Sequence, residues 1–353
     1  MFMTNETKKL MIFRFSAMGD VAMTVPVIQA LLKSYPDTEV VMVSRPFFEP
    51  LFASLPRTKF VGVDLKQTYK GLWGLFRLYK FLKQEKPDAI ADLHDVLRTK
   101  ILSAFFKLGG FTNIAVIDKG RAEKKALIRP QNKIFKPLKT THRRYAEVFD
   151  KLGFHVDIQH FKPVLPPLSN QVKLFLAPLQ DQKVMGIAPF AAHKGKQYPL
   201  EKMQEVIRLL LKKDADLVIL LFGGGKREKA LLDDLEQIDR NRVINVAGIF
   251  SFEEELQLIS RLQLMLSMDS GNGHLAALFG VPVLTIWGAT HPYAGFAPFN
   301  QPDENWILPD LKQFPQLPTS VYGNKTFEGF EKVWNTIKPD AVVEKILSLL
   351  HQL

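Results

Sequence analysis

The sequence predicts an α/β protein made of two doubly wound, parallel-sheet halves. Short apolar runs alternate with helix-length amphipathic segments along the chain, as is typical of parallel strands joined by crossover helices. The chain has 353 residues, of which 46% are hydrophobic and 24% charged, as expected for a globular protein of about two domains. Near the middle, Pro163, Pro166 and Pro167 interrupt both periodicities and mark a connector between the halves.

In the first half, five apolar runs have the length and composition of buried strands. They lie at residues 10–15, 40–43, 60–63, 89–93 and 114–117. Helical periodicity separates several of them, at residues 25–35, 72–84 and 96–108. We therefore expect one parallel sheet that carries helices on both faces.

The second half repeats this alternation. Its predicted strands lie at residues 184–188, 217–222, 243–246, 264–268 and 281–286. Ser251 and Glu254 have the spacing of a capping box ahead of a helical segment at residues 256–261. Asp340, directly after Pro339, predicts the N-cap of a last amphipathic helix that ends at Leu350.

Composition excludes several classes of chemistry and of membrane protein. The chain contains no cysteine, so thiol nucleophiles, thiolate zinc sites and iron–sulfur clusters are excluded. No apolar run approaches the roughly 18 residues that a membrane span requires. Arg14 interrupts the only N-terminal apolar block, which argues against a signal peptide. We therefore expect a cytoplasmic protein without a transmembrane segment.

The positive charge is concentrated in the first half. Residues 1–165 hold 28 Lys and Arg against 15 Asp and Glu, whereas residues 166–353 hold 19 against 21. Within the first half, residues 119–144 carry ten basic side chains and only one acid, Glu123. Such a run attracts an anionic partner, namely nucleic acid, a membrane surface or a phosphorylated glycolipid. The alternative is a solvated loop whose charge only improves solubility.

The loop after the first predicted strand places a carboxylate where open α/β sheets bind their ligands. It reads Ser16-Ala17-Met18-Gly19-Asp20, and Asp20 falls at the start of the following helix. A carboxylate there can take a proton from a bound hydroxyl group. It can equally cap the helix and interact with its dipole. The G-x-G-x-x-G fingerprint of dinucleotide-binding sites is absent.

Two strand-end loops in the second half have features of nucleotide recognition. Lys194 and Lys196 flank Gly195 shortly before a helix, which is the composition of a phosphate cradle or of an ordinary basic turn. Three glycines at residues 223–225 precede Glu228, whose carboxylate could hold ribose hydroxyl groups. A tight turn explains those glycines equally well.

The most informative stretch follows the predicted strand at residues 264–268. It begins Asp269-Ser270-Gly271-Asn272-Gly273-His274 and continues into a short apolar helix closed by Gly280. The first-turn amides of that helix are free to bind an anion, and Asp269 lies beside them as an acceptor for sugar hydroxyl groups. His274 either faces the ligand or forms a structural hydrogen bond.

Together these loops resemble glycosyltransferase family 9, the lipopolysaccharide heptosyltransferases. The residues that carry the resemblance are Met18-Gly19-Asp20, Lys196-Gln197-Tyr198-Pro199, Asp269-Ser270-Gly271-x-x-His274, Gly280-Val281-Pro282 and Gly288-Ala289-Thr290-x-Pro292. The resemblance spans about residues 10 to 350. It implies a GT-B fold, in which two Rossmann-like domains face a central cleft. The implied domains are residues 1–165 for the acceptor, residues 166–335 for the nucleotide-sugar, and a helix at residues 336–353 that packs back on the first domain.

The resemblance also implies an activity, an inverting and metal-independent transfer of heptose from ADP-heptose to the lipopolysaccharide inner core. Asp20 would be the general base, Lys196 would balance the charge of the leaving diphosphate, and Glu228 would hold the ribose. Asp269, Ser270, Gly271 and His274 would bind the donor.

No cofactor is expected, and the acceptor would be an anionic glycolipid on the cytoplasmic face of the inner membrane. The enzyme would therefore associate peripherally with that membrane. The basic side chains assigned to this acceptor are Arg98, Lys124, Lys125, Arg143 and Arg144.

Departures from the family pattern keep alternatives open. Ala191 and Ala192 stand where many heptosyltransferases have hydroxyl residues, and His291 stands where an acid is common, so the sugar or the nucleotide could differ. A nucleotide-sugar epimerase is a second hypothesis. A nucleic-acid-binding protein is a third, although the basic run contains few stacking residues. The single D-x-D, at residues 214–216, precedes a strand and is better explained as a turn than as a metal site.

Overall fold

In the computed structural model, residues 8–159 and 161–352 are described. The first part of the chain contains the following elements: β1 (Lys8–Phe13), α1 (Met18–Ala22), α2 (Thr24–Ser34), β2 (Thr38–Ser44), β3 (Thr58–Gly62), α3 (Gly71–Lys83), β4 (Ala89–Asp92), α4 (Leu97–Leu108), β5 (Ile114–Val116), α5 (Arg121–Ile128) and α6 (Thr141–Asp150). Each of the five strands predicted for the first half is present, and both of its ends lie within two residues of the predicted ones.

The second part of the chain continues the alternation. Its elements are α7 (Asn170–Leu176), β6 (Lys183–Ala188), α8 (Leu200–Lys213), β7 (Leu217–Leu221), α9 (Gly225–Glu236), β8 (Val243–Asn245), α10 (Phe252–Ile259), β9 (Leu264–Met268), α11 (Gly271–Leu278), β10 (Val283–Ile286), β11 (Trp306–Ile307) and α12 (Pro339–Leu350). The capping box at the start of α10 is confirmed, because the Ser251 hydroxyl accepts the Glu254 amide N–H at 3.2 Å.

Contacts divide the described chain into two compact units. Unit 1 extends to Lys119 and resumes from Thr141 to Lys162, whereas unit 2 comprises Gly120–Thr140 and the chain from Pro163 onwards. The sequence had assigned the segment at residues 120–140 to the first domain. Its apolar side chains explain the correction, because Leu127 and Leu138 form a buried cluster with Ala294 of unit 2.

Unit 1 contains a five-stranded parallel sheet in the order β3-β2-β1-β4-β5. Side chains of α3 and α4, among them Leu78 and Phe106, bury one face of it against Phe13. Because side chains alternate along a strand, the opposite face is left to α2 and α6, which pack on each other. The doubly wound topology predicted for this half is confirmed.

Unit 2 contains a six-stranded sheet in the order β11-β10-β9-β6-β7-β8. The last helix, α12, belongs to the core of this unit, since it packs on α8 and β9 and buries Val342, Val343 and Ile346 completely. The sequence expectation had placed that helix on the first domain. Its N-cap is Lys338 rather than Asp340, because helical geometry already begins at Pro339.

Strand register determines which loops lie side by side. In unit 1, Phe13 pairs with Val43 and Asp92, so the loops after β1 and β4 leave the sheet together. In unit 2, Ala188 pairs with Ser267 and Ile286 pairs with Met268, which brings the loops after β6, β9 and β10 together. The first loop cluster holds Asp20, and the second holds Lys196 and Asp269. None of the helices described is both long and apolar enough to cross a bilayer.

Candidate active site

In unit 1, Asp20 lies in the first turn of α1, beside the ends of β1 and β4. Its Oδ2 accepts hydrogen bonds from Arg14 Nη2 at 2.5 Å and from the Ala17 amide N–H at 3.3 Å. The other oxygen, Oδ1, has no hydrogen-bond partner among the described residues, and 27% of the side chain is exposed. Asp20 therefore supports the helix start with one oxygen and can offer the other to a ligand.

Arg14 is the buried cation that holds Asp20. Its Nη1 donates to the Leu93 carbonyl at 2.8 Å, and its guanidinium carbon lies 5.9 Å from the centre of the Tyr145 ring. Burial opposes the charged form, but electrostatic interactions with Tyr145 and Asp20 outweigh it and raise the pKa of Arg14. The Tyr145 hydroxyl donates to the Asp20 carbonyl at 3.1 Å. The guanidinium is thus held on several sides and stays charged.

The loop after β4 brings a histidine against the same cluster. His94 Nδ1 accepts the Phe15 amide N–H at 3.3 Å, so the proton of the neutral ring lies on Nε2. Burial, together with the positive charges of Arg14 and Lys119, lowers the pKa of His94 to about 3. Fully buried Asp92 shapes this turn, since its Oδ1 accepts the amide N–H groups of His94 and Asp95. His94 is consequently neutral at physiological pH.

In unit 2, three side chains from three adjacent loops meet at Asp269. Its Oδ2 accepts hydrogen bonds from Lys196 Nζ at 2.9 Å and from Thr290 Oγ1 at 2.8 Å. Asp269 follows β9, Lys196 follows β6 and Thr290 follows β10, so the strand order itself assembles the cluster. The side chains of Asp269 and Lys196 are only 7% and 15% exposed. The structure therefore brings together two of the predicted donor-binding residues.

Close backbone packing positions Lys196. A Cβ atom at Gly195 would lie 2.7 Å from the Gly323 carbonyl oxygen and 2.9 Å from Ala289 Cβ, so only glycine fits there. Gly323 has a φ of +82°, and a Cβ atom there would lie 2.3 Å from two carbons of the Lys196 side chain. The loop at Gly323 thus holds the aliphatic part of this lysine in place, leaving the ammonium group to Asp269.

Helix α11 begins directly after Asp269. Ser270 is its N-cap, and the Ser270 Oγ is buried without a hydrogen-bond partner in the described chain. Gly271 is its first residue, while His274 is buried in the second turn. The first N–H groups of a helix have no acceptor within it, so they and the Ser270 hydroxyl can receive an anion.

Glu228 lies in the first turn of α9, beyond the end of β7. Its Oε2 accepts the Gly224 amide N–H at 2.8 Å. A Cβ atom at Gly223 would lie 3.3 Å from both that oxygen and the Phe190 ring, so the loops after β6 and β7 adjoin here. The glycines at residues 223–225 form the turn between β7 and α9, which is one of the two interpretations offered by the sequence. The half-buried carboxylate of Glu228 retains a second oxygen for a ligand.

The five basic residues assigned to the acceptor divide between the two units. Arg98 and Arg143 are exposed in unit 1, whereas Arg144 is buried there and donates to the Asp118 carbonyl at 3.2 Å. Lys125 is exposed on α5 of unit 2. Lys124 of the same helix is buried, with its ammonium group 4.0 Å from the centre of the Phe296 ring. The structure thus does not join these five into one surface of a single unit.

The segment at residues 120–140 is anchored within unit 2, although most of its side chains are exposed. Lys133 Nζ donates to three successive carbonyl groups, those of Gln316, Leu317 and Pro318. The Phe135 ring lies 4.9 Å from that of His291, and burial and Lys133 lower the pKa of His291 to about 4. His291, which departs from the family pattern, thus serves to dock this segment within unit 2.

Sequence reasoning missed three residues of these clusters, namely Arg14, His94 and Thr290. Arg14 directly follows β1, the strand before Asp20, and His94 lies two residues after the neighbouring β4. Thr290 lies four residues after β10, which borders the strand before Asp269. Thr290 stood within a motif that carried the resemblance, but no role was assigned to it. The strand order needed to place them beside the carboxylates could have been predicted from Rossmann topology. No group of three His, Asp or Glu side chains in the described ranges has an arrangement that could hold a metal ion.

Comparisons with known proteins identify the family of this chain. Residues 75–320 match glycosyltransferase family 9 (heptosyltransferase). The chain is 27% identical over 314 residues to the lipopolysaccharide core heptosyltransferase OpsX of Haemophilus influenzae, covering 85% of this chain and 84% of that protein.

Solved structures share the fold. A family 9 glycosyltransferase from Veillonella parvula superposes with a TM-score of 0.76 at 17% identity, covering 99% of both chains. The E. coli heptosyltransferase WaaC, solved with ADP, gives a TM-score of 0.66 at 18% identity, covering 97% of this chain and 99% of that one. Two Rossmann-like domains of the GT-B class, predicted from the sequence, are confirmed.

Proposed function

The chain belongs to glycosyltransferase family 9 and is therefore a transferase, and we propose that it moves heptose from ADP-heptose to the inner core of a lipopolysaccharide. The observation that carries this proposal is the Lys196–Asp269–Thr290 cluster at the ends of three adjacent strands, beside the start of α11. It supplies one cation, one carboxylate and a set of free amides within a single loop cluster. Two of the proteins named above, OpsX and WaaC, are heptosyltransferases, and WaaC was solved with ADP.

In the proposed reaction, the donor is bound by unit 2. The bond between the anomeric carbon and the diphosphate breaks, and negative charge accumulates on the departing phosphate oxygens. The amides of Ser270 and Gly271, together with the ammonium group of Lys196, would stabilise that charge. Asp269 would then exchange its ion pair with Lys196 for hydroxyl groups of the sugar. Glu228 offers its second oxygen to the ribose.

Unit 1 would supply the base. The acceptor hydroxyl attacks the anomeric carbon from the face opposite the diphosphate, and its proton passes to Oδ1 of Asp20. Arg14 fixes the other oxygen, so that Oδ1 is held in one orientation. Attack from the opposite face inverts the anomeric configuration. Because Lys196 and the amides of α11 carry the phosphate charge, the proposed reaction needs no metal ion and no cofactor.

The proposed acceptor is an anionic glycolipid, which places the reaction at a membrane surface on the cytoplasmic side. The side chains of Arg98 and Arg143 are exposed to solvent, and we assign them to its phosphate groups. Arg144 and Lys124 are buried, so we propose that they support the fold around the acceptor rather than contact it.

A panel of nucleoside diphosphates and nucleotide-sugars tests the donor. A ligand at 100 times its dissociation constant stabilises the folded protein by about 2.7 kcal/mol, which is measurable as a rise in Tm. We expect ADP and ADP-heptose to give the largest shifts, and Lys196→Ala to remove most of the ADP shift. A larger shift with UDP or GDP would contradict the adenosine assignment.

A transfer assay tests the reaction itself. ADP-heptose and an inner-core acceptor should yield a product of inverted anomeric configuration, as read by NMR coupling constants. The rate should be unchanged after treatment with EDTA. Loss of the rate with EDTA, restored by a divalent cation, would overturn the metal-independent mechanism.

A further inference from the structure

Helices α3 and α4 expose an unusual share of the large apolar side chains of unit 1. Four of these side chains are more than 60% exposed, at Leu72, Trp73, Leu97 and Leu108. Trp73 and Leu108 are exposed at 81% and 85%, more than any other large apolar side chain in the described ranges. Large exposed apolar groups on two helices that pack on each other mark an interaction surface.

The charge of the same two helices has a single sign. Together they contain six basic residues and no acidic residue. The six are Arg77, Lys80, Lys83, Arg98, Lys100 and Lys107, and all are exposed. Lys100 pairs with Asp95 at 3.2 Å, outside the helices. The partner of this surface must therefore combine negative charge with an apolar interior.

The two helices form one continuous surface. Both follow strands of the same parallel sheet, so they run in the same direction, and the rings of Phe76 and Phe105 lie 5.4 Å apart between them. The Trp73 ring adjoins Phe76 at 6.2 Å. Lys80 Nζ lies 4.9 Å from the centre of the Phe76 ring. Ammonium groups thus lie directly beside the aromatic side chains, a pattern suited to the boundary between lipid headgroups and acyl chains.

We propose that the face formed by α3 and α4 docks the protein on an anionic lipid bilayer. Trp73 and the exposed leucines would enter the headgroup region, while the six cations would contact lipid phosphates. A second copy of the chain does not fit this face, because each copy would bring the same six cations and no acid. This docking surface rests on the proposed function at one point, namely that the glycolipid acceptor lies in a bilayer.

This surface replaces the one that charge density alone suggested. In the segment at residues 119–144, Lys124 and Arg144 are buried, and Lys133 donates to three carbonyl groups. Several cations of that segment therefore take part in contacts within the protein. That segment exposes Ile134 and Phe135 by less than half, whereas the cations of α3 and α4 are accompanied by four large apolar side chains that are each more than 60% exposed, as a bilayer requires.

Co-sedimentation of the full chain with vesicles tests the proposal. The wild-type protein should bind vesicles that contain phosphatidylglycerol, should bind vesicles of pure phosphatidylcholine weakly, and should lose affinity as salt rises. The double variant Leu72→Ser with Trp73→Ser should bind about tenfold more weakly, as should Arg77→Glu with Lys80→Glu. Matched changes in unit 2 provide controls. Leu174→Ser and the pair Lys212→Glu with Lys213→Glu alter equally exposed residues and should bind like the wild type.

Tryptophan fluorescence gives a second readout that folding defects do not imitate. Trp287 and Trp334 are buried and Trp306 is half-buried, so a blue shift on adding anionic vesicles should come mainly from Trp73. Trp73→Phe should keep vesicle binding and lose most of the blue shift.

Three results would overturn the proposal. They are unchanged vesicle binding by both double variants, loss of binding on Lys125→Glu with Lys136→Glu alone, and a dimer in sedimentation velocity that Trp73→Ser dissociates. ADP stabilisation of the same preparations separates this proposal from the proposed function. A wild-type protein that binds ADP but not anionic vesicles overturns only the docking surface, whereas vesicle binding without ADP binding contradicts only the proposed donor.

Discussion

The two units each hold one carboxylate against one cation at the end of a parallel sheet, and the two pairs are built differently. Asp20 and Asp269 both use Oδ2 to accept from the cation and from one further donor. In unit 1 the cation is a guanidinium that also binds the Leu93 carbonyl and lies near Tyr145. In unit 2 the cation is the ammonium group of Lys196, and in the described chain its one polar contact is with Asp269.

This difference separates a fixed pair from one that can exchange partners. Arginine binds with a rigid, planar fork, whereas lysine is a compact charge on a flexible chain. Arg14 can therefore hold Asp20 in one orientation throughout a reaction. Lys196 can leave Asp269 for a phosphate group, provided that new acceptors replace the carboxylate. The first arrangement suits a base, and the second suits an anion that arrives and departs.

The largest expected effect is on Asp20. Asp20→Asn keeps a hydrogen-bond acceptor for Arg14 but cannot take a proton, so kcat should fall by about 10²- to 10⁴-fold. The dissociation constant for ADP-heptose should stay within about threefold of the wild-type value, because the donor is assigned to unit 2. Single-turnover kinetics and calorimetry measure the two separately. Asp181→Asn, at an exposed carboxylate of unit 2, provides the control. Lost donor affinity with unchanged kcat would remove Asp20 from the role of base.

The next largest effect is on Lys196. Lys196→Ala should lower kcat/KM by about 10²-fold, because a charge directed at the leaving phosphate is lost. Its affinity for ADP should fall more than its affinity for AMP. Lys194→Ala, which changes the exposed lysine of the same turn, should remain within about twofold of the wild type. Equal losses for ADP and AMP would show that Lys196 does not contact the diphosphate.

A smaller effect tests whether Arg14 acts as a positioning residue. Arg14→Lys keeps the charge but cannot bind both Leu93 and Asp20 through a planar fork, so kcat should fall about tenfold while KM for the donor stays constant. Lys196→Arg should show the reverse pattern, with the larger change in donor KM. If Arg14→Lys changed KM and kcat equally, the rigid pair would have no special part in positioning the base.

The smallest effect concerns two buried histidines, one in each unit. The pKa of His94 is lowered to about 3 and that of His291 to about 4, against 6.5 for a free histidine. The unfolded chain therefore binds more protons below pH 6.5, and stability is full above that pH and lost as the pH falls. Each histidine should cost about 1 kcal/mol per pH unit between pH 6 and pH 4. His94→Gln and His291→Gln should each flatten the dependence of Tm on pH, and an unchanged slope would contradict the burial argument.

Much of the fold could be predicted because local sequence patterns determine it. The strands of both halves stood out as short apolar runs, since a strand covered by helices on both faces excludes polar side chains. The capping box of Ser251 and Glu254 was equally readable, because it depends on residues three positions apart. The last helix was identified, but its first residue was placed too late, because Pro339 is itself compatible with the first helical turn.

The candidate site was predicted in part. Asp20, Lys196, Glu228 and Asp269 were found because strand-end loops hold ligands in open sheets. The ion pair between Lys196 and Asp269 could not be read from residues 73 positions apart without the strand order. The same is true of Arg14 and His94, which meet Asp20 only because β4 lies beside β1.

The amino-acid order was enough to determine that the chain forms two parallel α/β halves and where each strand-end loop falls, because apolar periodicity acts between near neighbours. The tertiary structure was needed to decide which cation pairs with which carboxylate. It was also needed to assign residues 120–140 to the unit that contains the second sheet. It also decided that the four most exposed large apolar side chains of unit 1 lie on α3 and α4, beside six exposed cations. Side-chain burial depends on contacts between distant segments, and charge counted along a chain does not record which of its cations are already bound.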